Sequence, residues 1–383
     1  MKYLIKFFTL LTVIIFFSFN TYANDKIKIG LVVPLSGEFK NLGDSILKSV
    51  RLAINDIDDS KIVIIPKDSK NNPDDTFEVS QQLYKEGVKI IIGPIFKKNT
   101  IKLDALNNDL IFLSFTNKID STKKNIISAG VNSISQFNAI KKFQTLEEIE
   151  RSYLFAPNND ILSEIKTGVK KSKIKLKDKF YYDQDPTLIT KQIEDVTRYR
   201  IRKQNLLDEI KRVEESDLFD KEQQLEKLEK KYTIGDVNFD SVIISDFDES
   251  LKSVITSLLY TDVSPKKKFI ITFNQWFDES LLEEKTIQPI YYPSIDKENL
   301  ENFKKKYYSE FNEYPNYLAL LSYDLIGLIY YLSLNNELID INKIFKKKNS
   351  FKGKIGIFEI ENNKINHKLN FYQINEGLLK KIF

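Results

Sequence analysis

From residue 27 onward the chain alternates short runs that are mostly apolar with longer stretches whose apolar residues recur every three or four places. The short runs, over 27–33, 61–66, 88–92 and 110–115, predict strands buried on both faces. The longer stretches predict amphipathic helices. One over 42–57 sets Ile46, Val50, Ala53, Ile54 and Ile57 on one side, and Asn72-Pro73-Asp74-Asp75 opens another that ends near Gly87. Residues 103–108 predict a further helix. Buried strands separated by helices imply a parallel sheet covered on both faces. Ligands of such sheets sit beyond the carboxyl ends of the strands. Here those ends are Leu35-Ser36-Gly37, Asp68-Ser69, 93–100 and 114–117.

A second set of strands is expected over 152–156, 179–182, 241–245 and 268–273, with helices over 161–171 and 249–260. This is a second α/β lobe. Residues 187–231 interrupt it with a helical hairpin. Ile189, Ile193 and Val196 recur at helical spacing, as do Leu206, Ile210 and Val213, and Leu218, Leu225 and Leu228 follow Ser216-Asp217. Asp185 is the expected N-cap and Pro186 the first helical residue, where no backbone donor is needed. The first helix is expected to run unbroken to Glu215. Four of the six arginines fall in this insertion, and Arg198, Arg200, Arg202 and Arg212 are candidates for docking a protein partner. Toward the C-terminus, helices over 303–311 and 318–332 precede a hairpin of 355–360 and 367–374 around Glu361-Asn362-Asn363.

The first residues have a different character. Lys2 and Lys6 precede an apolar run over 7–19, broken only by Thr9, Thr12 and Ser18, and Thr21-Tyr22-Ala23 follows. This is the layout of a secretory signal peptide, residues 1–23, cleaved after Ala23. The run is shorter than the roughly 20 residues needed to span a bilayer. No later stretch reads as a membrane helix, so no membrane span is expected after cleavage. The chain has no cysteine, hence no disulfide, no thiolate metal site and no cysteine to carry a lipid. The leader holds two lysines and no acid, which lowers the formal net charge from +4 to +2, far from that of a nucleic-acid binder. The lysine clusters at 266–268, 304–306 and 346–348 read as solvated surface.

Several motifs resemble one family. Ile29-Gly30-Leu31-Val32-Val33-Pro34-Leu35-Ser36-Gly37, Gly87 to Pro94, Ser322-Tyr323-Asp324 and Phe351-Lys352-Gly353-Lys354-Ile355-Gly356 resemble the type I periplasmic binding proteins of the leucine-receptor group. The charged insertion leading to Phe239-Asp240-Ser241-Val242, with 258–263 and Trp276-Phe277-Asp278, is similar to the penicillin-binding-protein activator branch. The resemblance implies an α/β fold of two Rossmann-like lobes joined by a three-segment hinge. Lobe one is expected over 24–143 and 291–337, and lobe two over 144–290 and 338–383, carrying the helical insertion at 187–231.

Catalysis fits poorly. His367 is the only histidine, expected in the terminal hairpin and structural, so Ser-His-Asp, Cys-His and zinc arrangements lack their parts. Neither G-x-G-x-x-G nor a Walker loop occurs, and no cofactor is expected. Adjacent acids such as Asp74-Asp75 read as solvated turns. The cleft is the better candidate, lined by Ser36, Lys98, Asn99, Ser114, Thr116, Asp160, Asp246, Gln275 and Trp276. In the family's amino-acid receptors, small hydroxyl residues hold the ligand carboxylate and an acid in lobe two holds its ammonium. Here Phe96-Lys97-Lys98-Asn99-Thr100 stands where serines would, and Phe273-Asn274-Gln275-Trp276 has no acid before Asp278. Asp160 and Asp246 lie at other strand ends and are substitutes for it. Two roles follow from the resemblance: a non-catalytic periplasmic regulator engaging a cell-wall synthase, or a receptor delivering a small polar solute to an ABC transporter permease. N-terminal sequencing of the periplasmic fraction should return Asn24; a chain retained in the membrane with Met1 intact overturns the assignment.

Overall fold

The computed structural model describes residues 26–107, 109–118, 125–334, 345, 348–354, 356–361 and 364–383. Residues 1–25, Lys346 and Lys347 of the third lysine cluster, Ile355, Asn362 and Asn363 lie outside these. The first sheet is wholly parallel. It comprises β1 (Ile27–Val33), β2 (Ile62–Asp68), β3 (Ile90–Ile92), β4 (Ile111–Ser114) and β5 (Ile126–Ser128), in the order β2-β1-β3-β4-β5. Helices Lys40–Ile57 and Pro73–Lys85 connect its first strands. The second begins as its sequence dictates: the Asn72 side chain accepts from the N–H groups of Asp74 and Asp75, and Pro73 opens the first turn. The helix expected over 103–108 shrinks to a 3-10 turn, Leu103–Ala105, because so few residues close too few bonds to hold an α-helix.

The second lobe contains β6 (Ser152–Pro157), β7 (Asp178–Tyr182), β8 (Ser241–Ile244), β9 (Phe269–Thr272) and β10 (Ile290–Ser294). After these come a small antiparallel sheet of β11 (Asn349–Lys352), β12 (Ile357–Glu361) and β13 (Lys364–Lys368), then β14 (Asn370–Asn375) and β15 (Leu378–Lys381). The large sheet runs β15-β14-β10-β9-β8-β6-β7, in which β14 alone runs against its neighbours, antiparallel to both β10 and β15. The expected strand over 367–374 is therefore two strands. Leu369 separates them, because β13 stays with β12 while β14 passes into the second lobe against β10.

These pairings move the lobe boundaries. Helix Ser133–Leu146 belongs to lobe two, where Phe137 meets Phe273 at 5.1 Å and Phe143 stacks on Phe371 at 4.4 Å. The first crossing thus precedes residue 133 rather than following 143. Strand β10 also belongs to lobe two, so the return to lobe one follows Ser294 and not 291. Helix Lys297–Phe311 then packs on Lys40–Ile57, with Tyr307 donating to Ser45 Oγ at 3.3 Å. The third crossing lies at Leu369, beyond the expected 338, because Phe351 of the small sheet packs on Tyr331 of helix Tyr317–Leu334. Gly130 falls in the first crossing, but no glycine or proline stands at Ile295-Asp296 or at Leu369, and local pattern alone does not set these crossings apart from ordinary turns.

Helix Tyr317–Leu334 corrects a second expectation. By length and composition it is long and apolar enough to span a bilayer. Its apolarity has a packing cause: ten of its residues, from Ala319 to Leu332, are buried, and it lies along Lys40–Ile57.

The insertion also differs from its expected form. Asp185 caps as expected, accepting the Thr187 N–H at 2.9 Å. The helix then stops at Val196 and a new one, Tyr199–Glu214, starts after Arg198, which adopts a left-handed φ of 54°. Thr197 Oγ1 donates back to Ile193 O at 2.7 Å, and Arg202 Nε donates to Thr197 O at 3.0 Å, fixing the break. Ile189 and Ile193 of helix Pro186–Val196 are buried with Val242 and Leu251, so this helix is part of lobe two's core. Burial of each contributes on the order of 2 kcal/mol. Helices Tyr199–Glu214 and Lys221–Glu229 make a small core of their own from Leu206, Val213 and Leu228.

His367 occupies β13 and is buried beside the first crossing. Its Nε2 donates to Ala129 O at 2.7 Å, and burial pushes its pKa from 6.5 down to about 4. Between those values the unfolded chain binds a proton that the folded one refuses. Stability is complete above the upper value and falls as pH drops through the window, by on the order of 3 kcal/mol in all. Urea unfolding at pH 7 and at pH near 4.5 should therefore show a steeper loss for the wild type than for His367→Gln; equal slopes would remove His367 as the cause.

Candidate functional site

A cavity of about 490 Å³ lies between the lobes, at the carboxyl ends of the strands. Lobe one contributes the segments after β3 and β4. The first turns at Gly93, whose φ is +112° and whose added Cβ would sit 2.1 Å from Val32 O, so only glycine fits. From there Phe96, Lys97 and Lys98 reach the cavity, and Phe115, Thr116 and Lys118 follow β4. Gly130 and His367 line it where the chain crosses between lobes. Lobe two contributes Phe247 after β8 and Asn274 and Trp276 after β9. Asn274 Oδ1 accepts the Trp276 N–H at 2.9 Å, and Trp276 and Phe277 both take positive φ. That turn lays the Trp276 ring on Tyr317, with centroids 4.9 Å apart, an aromatic contact linking the segment after β9 to the helix that packs on lobe one.

The candidates from sequence divide sharply. Lys98, Thr116 and Trp276 line the cavity. Ser36 is exposed at the end of β1 and bonds the Asp68 carboxylate. Asn99 is buried and donates to Asn71 Oδ1 at 2.9 Å. Ser114 is spent on structure: its hydroxyl donates to Pro94 O at 2.8 Å and accepts from Thr116 N at 3.3 Å, joining the two loops. Asp160 is exposed in the turn after β6 and does not line the cavity. Asp246 is buried off the cavity, accepting from Tyr182 Oη at 2.7 Å, Ser250 Oγ at 2.5 Å and the Phe247 N–H at 2.9 Å. Burial and this carboxylate push the Tyr182 phenol up. Gln275 is likewise committed, donating to Asp246 O and Phe273 O at 3.2 and 3.1 Å. Neither proposed substitute for the missing acid is therefore placed to meet an ammonium in the cavity.

Among the docking candidates, Arg202 is corrected. It is buried, and its guanidinium donates to Thr197 O, Thr233 Oγ1 and Thr261 O. Arg198 is exposed at the helix break. Arg200 and Arg212 are exposed and held by Glu194 and Glu209, pairs of the kind that contribute little.

The sequence reading passed over Asn274, which adjoins the two residues chosen and stands directly after β9. It also passed over Lys118, Phe247 and Tyr317. Their signal was position at a strand end, for Tyr317 only once folding brought the late helix to the cleft. Among the described residues the cavity's charge is one-sided: Lys97, Lys98 and Lys118 line it, no acid does, and none pairs with these lysines. No group of three His, Cys, Asp or Glu among the described residues is placed to hold a metal ion.

Residues 26–177 match the sequence profile of the periplasmic binding proteins. No curated protein matches the chain by sequence. Among solved structures, a putative branched-chain amino acid ABC transporter protein from Rhodospirillum rubrum superposes with a TM-score of 0.69 at 11% identity, covering 93% of this chain and 100% of the other. The fold is that of the type I periplasmic binding proteins. The C-domain of LpoA from Haemophilus influenzae, a regulator of PBP1A, gives a TM-score of 0.61 at 14% identity over 93% of this chain and 100% of that one. The isoleucine complex of LivJ from Streptococcus pneumoniae, a branched-chain amino acid transporter substrate binding protein, gives 0.52 at 17% identity over 93% and 98%. The type I periplasmic binding fold thus occurs both in a substrate binding protein and in a regulator of PBP1A, and the fold alone does not choose between such roles.

A branched-chain amino acid entering this cleft would bury its ammonium among lysines without a carboxylate partner, which is costly. Calorimetry should detect no saturable binding of leucine, isoleucine or valine; micromolar binding that Thr116→Ala removes would contradict this.

Proposed function

We propose that the protein is a non-catalytic periplasmic regulator that docks a cell-wall synthase through the helical insertion of its second lobe. The observation that carries this is the apolar surface the insertion leaves in water. Ile201 and Leu207, on helix Tyr199–Glu214, are 55% and 51% exposed, and Phe219, in the loop before Lys221–Glu229, is fully exposed. Apolar side chains left exposed on one inserted element are groups that a partner can cover and desolvate. The similarity to a regulator of PBP1A supports the choice of partner. The regulator reading also agrees with a cleft that lacks an ammonium partner.

The second reading is a substrate-binding protein for an ABC transporter permease. It is favoured by the cavity itself, whose 490 Å³ is in the range of small-molecule sites, and by the transporter-linked neighbours.

Replacing Ile201, Leu207 and Phe219 together by serine removes the exposed apolar groups without touching a buried one. The variant should melt as the wild type does and bind a purified cell-wall synthase about tenfold more weakly or worse in a surface-immobilised assay. Unchanged affinity, or a wild type that binds no synthase, would refute the docking role.

A further inference from the structure

We propose that the cleft takes a small organic anion with an aromatic body, an arylalkanoate, and that Asn274 supplies the N–H that holds its carboxylate. This goes beyond the docking role and holds for either partner, since it concerns the cleft alone.

The first support is an unspent donor. Asn274 is only 3% exposed and lines the cavity. Its amide orientation is fixed by its neighbours. The Trp276 N–H at 2.9 Å can only donate, so the atom it meets is oxygen, and Ser294 Oγ–H donates to the same atom at 2.8 Å. Nδ2 is therefore the other end of the amide, and it is buried with no hydrogen-bond partner. The residue does not turn away to find one. Its backbone N–H is held by Gln136 Oε1 at 2.7 Å, in a helix that packs on the same lobe. A buried polar group left unsatisfied in a well-bonded site calls for an acceptor from outside the chain.

The second support is the charge and character of the walls. Lys97, Lys98 and Lys118 stand on lobe one's side, and among the described residues no acid lines the cavity opposite them. An acceptor for Nδ2 is thus favoured when it carries negative charge. Charge alone would suit an inorganic anion, but Phe96, Phe115, Phe247, Trp276 and Tyr317 all face the cavity as well. Rings at this density select a flat apolar body, which can stack where Trp276 and Tyr317 already do. An α-ammonium group would add a cation that no lining carboxylate compensates.

Three probes share one ring and chain length: 3-phenylpropanoate is the anion, 3-phenylpropanamide is neutral, and L-phenylalanine adds the ammonium. Calorimetry on the purified chain should give saturable one-to-one binding of 3-phenylpropanoate, with the other two at least about tenfold weaker. Asn274→Asp keeps an oxygen for Trp276 and Ser294 and replaces the free donor with a second acceptor, so it should weaken the anion by about tenfold or more. Lys98→Gln, at an exposed position, should weaken it as well and reduce its salt dependence. The proposal fails if L-phenylalanine binds as well as the propanoate, if none of the three binds, or if both variants bind the propanoate like the wild type.

Discussion

The two lobes are held in register by the way buried polar groups are satisfied where the chain crosses between them. A crossing segment leaves one sheet before it reaches the other, and its backbone groups must find partners outside either ladder. Asn132 does this at the first crossing. Its Oδ1 accepts the Ser135 N–H at 2.9 Å and caps helix Ser133–Leu146, while its Nδ2 donates to Ile365 O of β13 at 2.9 Å. Ser135 Oγ in turn accepts the His367 N–H at 2.8 Å, and His367 returns its Nε2 to Ala129 O. The first and third crossings are thereby tied edge to edge. A second tie joins the third crossing to lobe one, where Asp324 Oδ1 accepts the Lys354 N–H at 2.7 Å. Gly353 must be glycine there, since an added Cβ would lie 2.3 Å from the Asp324 carboxylate.

The cleft inherits its geometry from that clamp. Gly130 and His367 line it, and the helix that Asn132 caps carries Gln136, whose Oε1 fixes the Asn274 backbone. From Asn274 the turn continues to Trp276 and across to Tyr317. One connected set of side chains therefore runs from the crossing to the mouth of the cavity. It also explains why a single titratable group matters to the whole: protonating His367 would place a charge in the middle of the clamp, with only carbonyl oxygens near enough to answer it.

How much of this was legible in the sequence differs by kind of feature. Strands buried on both faces and helices with clear caps were readable, because local pattern and tertiary environment demand the same residues: β1, β6, β8 and the Asp185 cap all lie where the pattern puts them. The insertion's apolar spacing was readable too, but its break at Arg198 was not. A left-handed arginine carries no sequence signal, and the capping by Thr197 and Arg202 depends on side chains folding back. The site was legible only in outline. Thr116 and Ser114 look equivalent as hydroxyls at a strand end, yet Ser114 is consumed by Pro94 O and Thr116 faces the cavity. Asp246 offered the right charge, but three side chains and a backbone N–H already surround it. Residue type and strand-end position can propose a site; which hydrogen bonds are already spent decides it.

The same accounting separates the roles of cleft and insertion. Arg202 was attractive as a surface arginine and is instead the bolt of the insertion, since its three donated bonds join helix Tyr199–Glu214 to the end of Pro186–Val196 and to the Thr233 and Thr261 segments of lobe two. Thr233 Oγ1 passes the connection on to Asp262 at 2.6 Å, so the buried guanidinium sits within a bonded network and not on a mobile arm. An element fixed in this manner moves only as its lobe moves. Trp276 and helix Tyr199–Glu214 both belong to lobe two, while Tyr317 stands on the helix that packs on lobe one, so the Trp276–Tyr317 contact spans the cleft and the insertion lies wholly on one side of it.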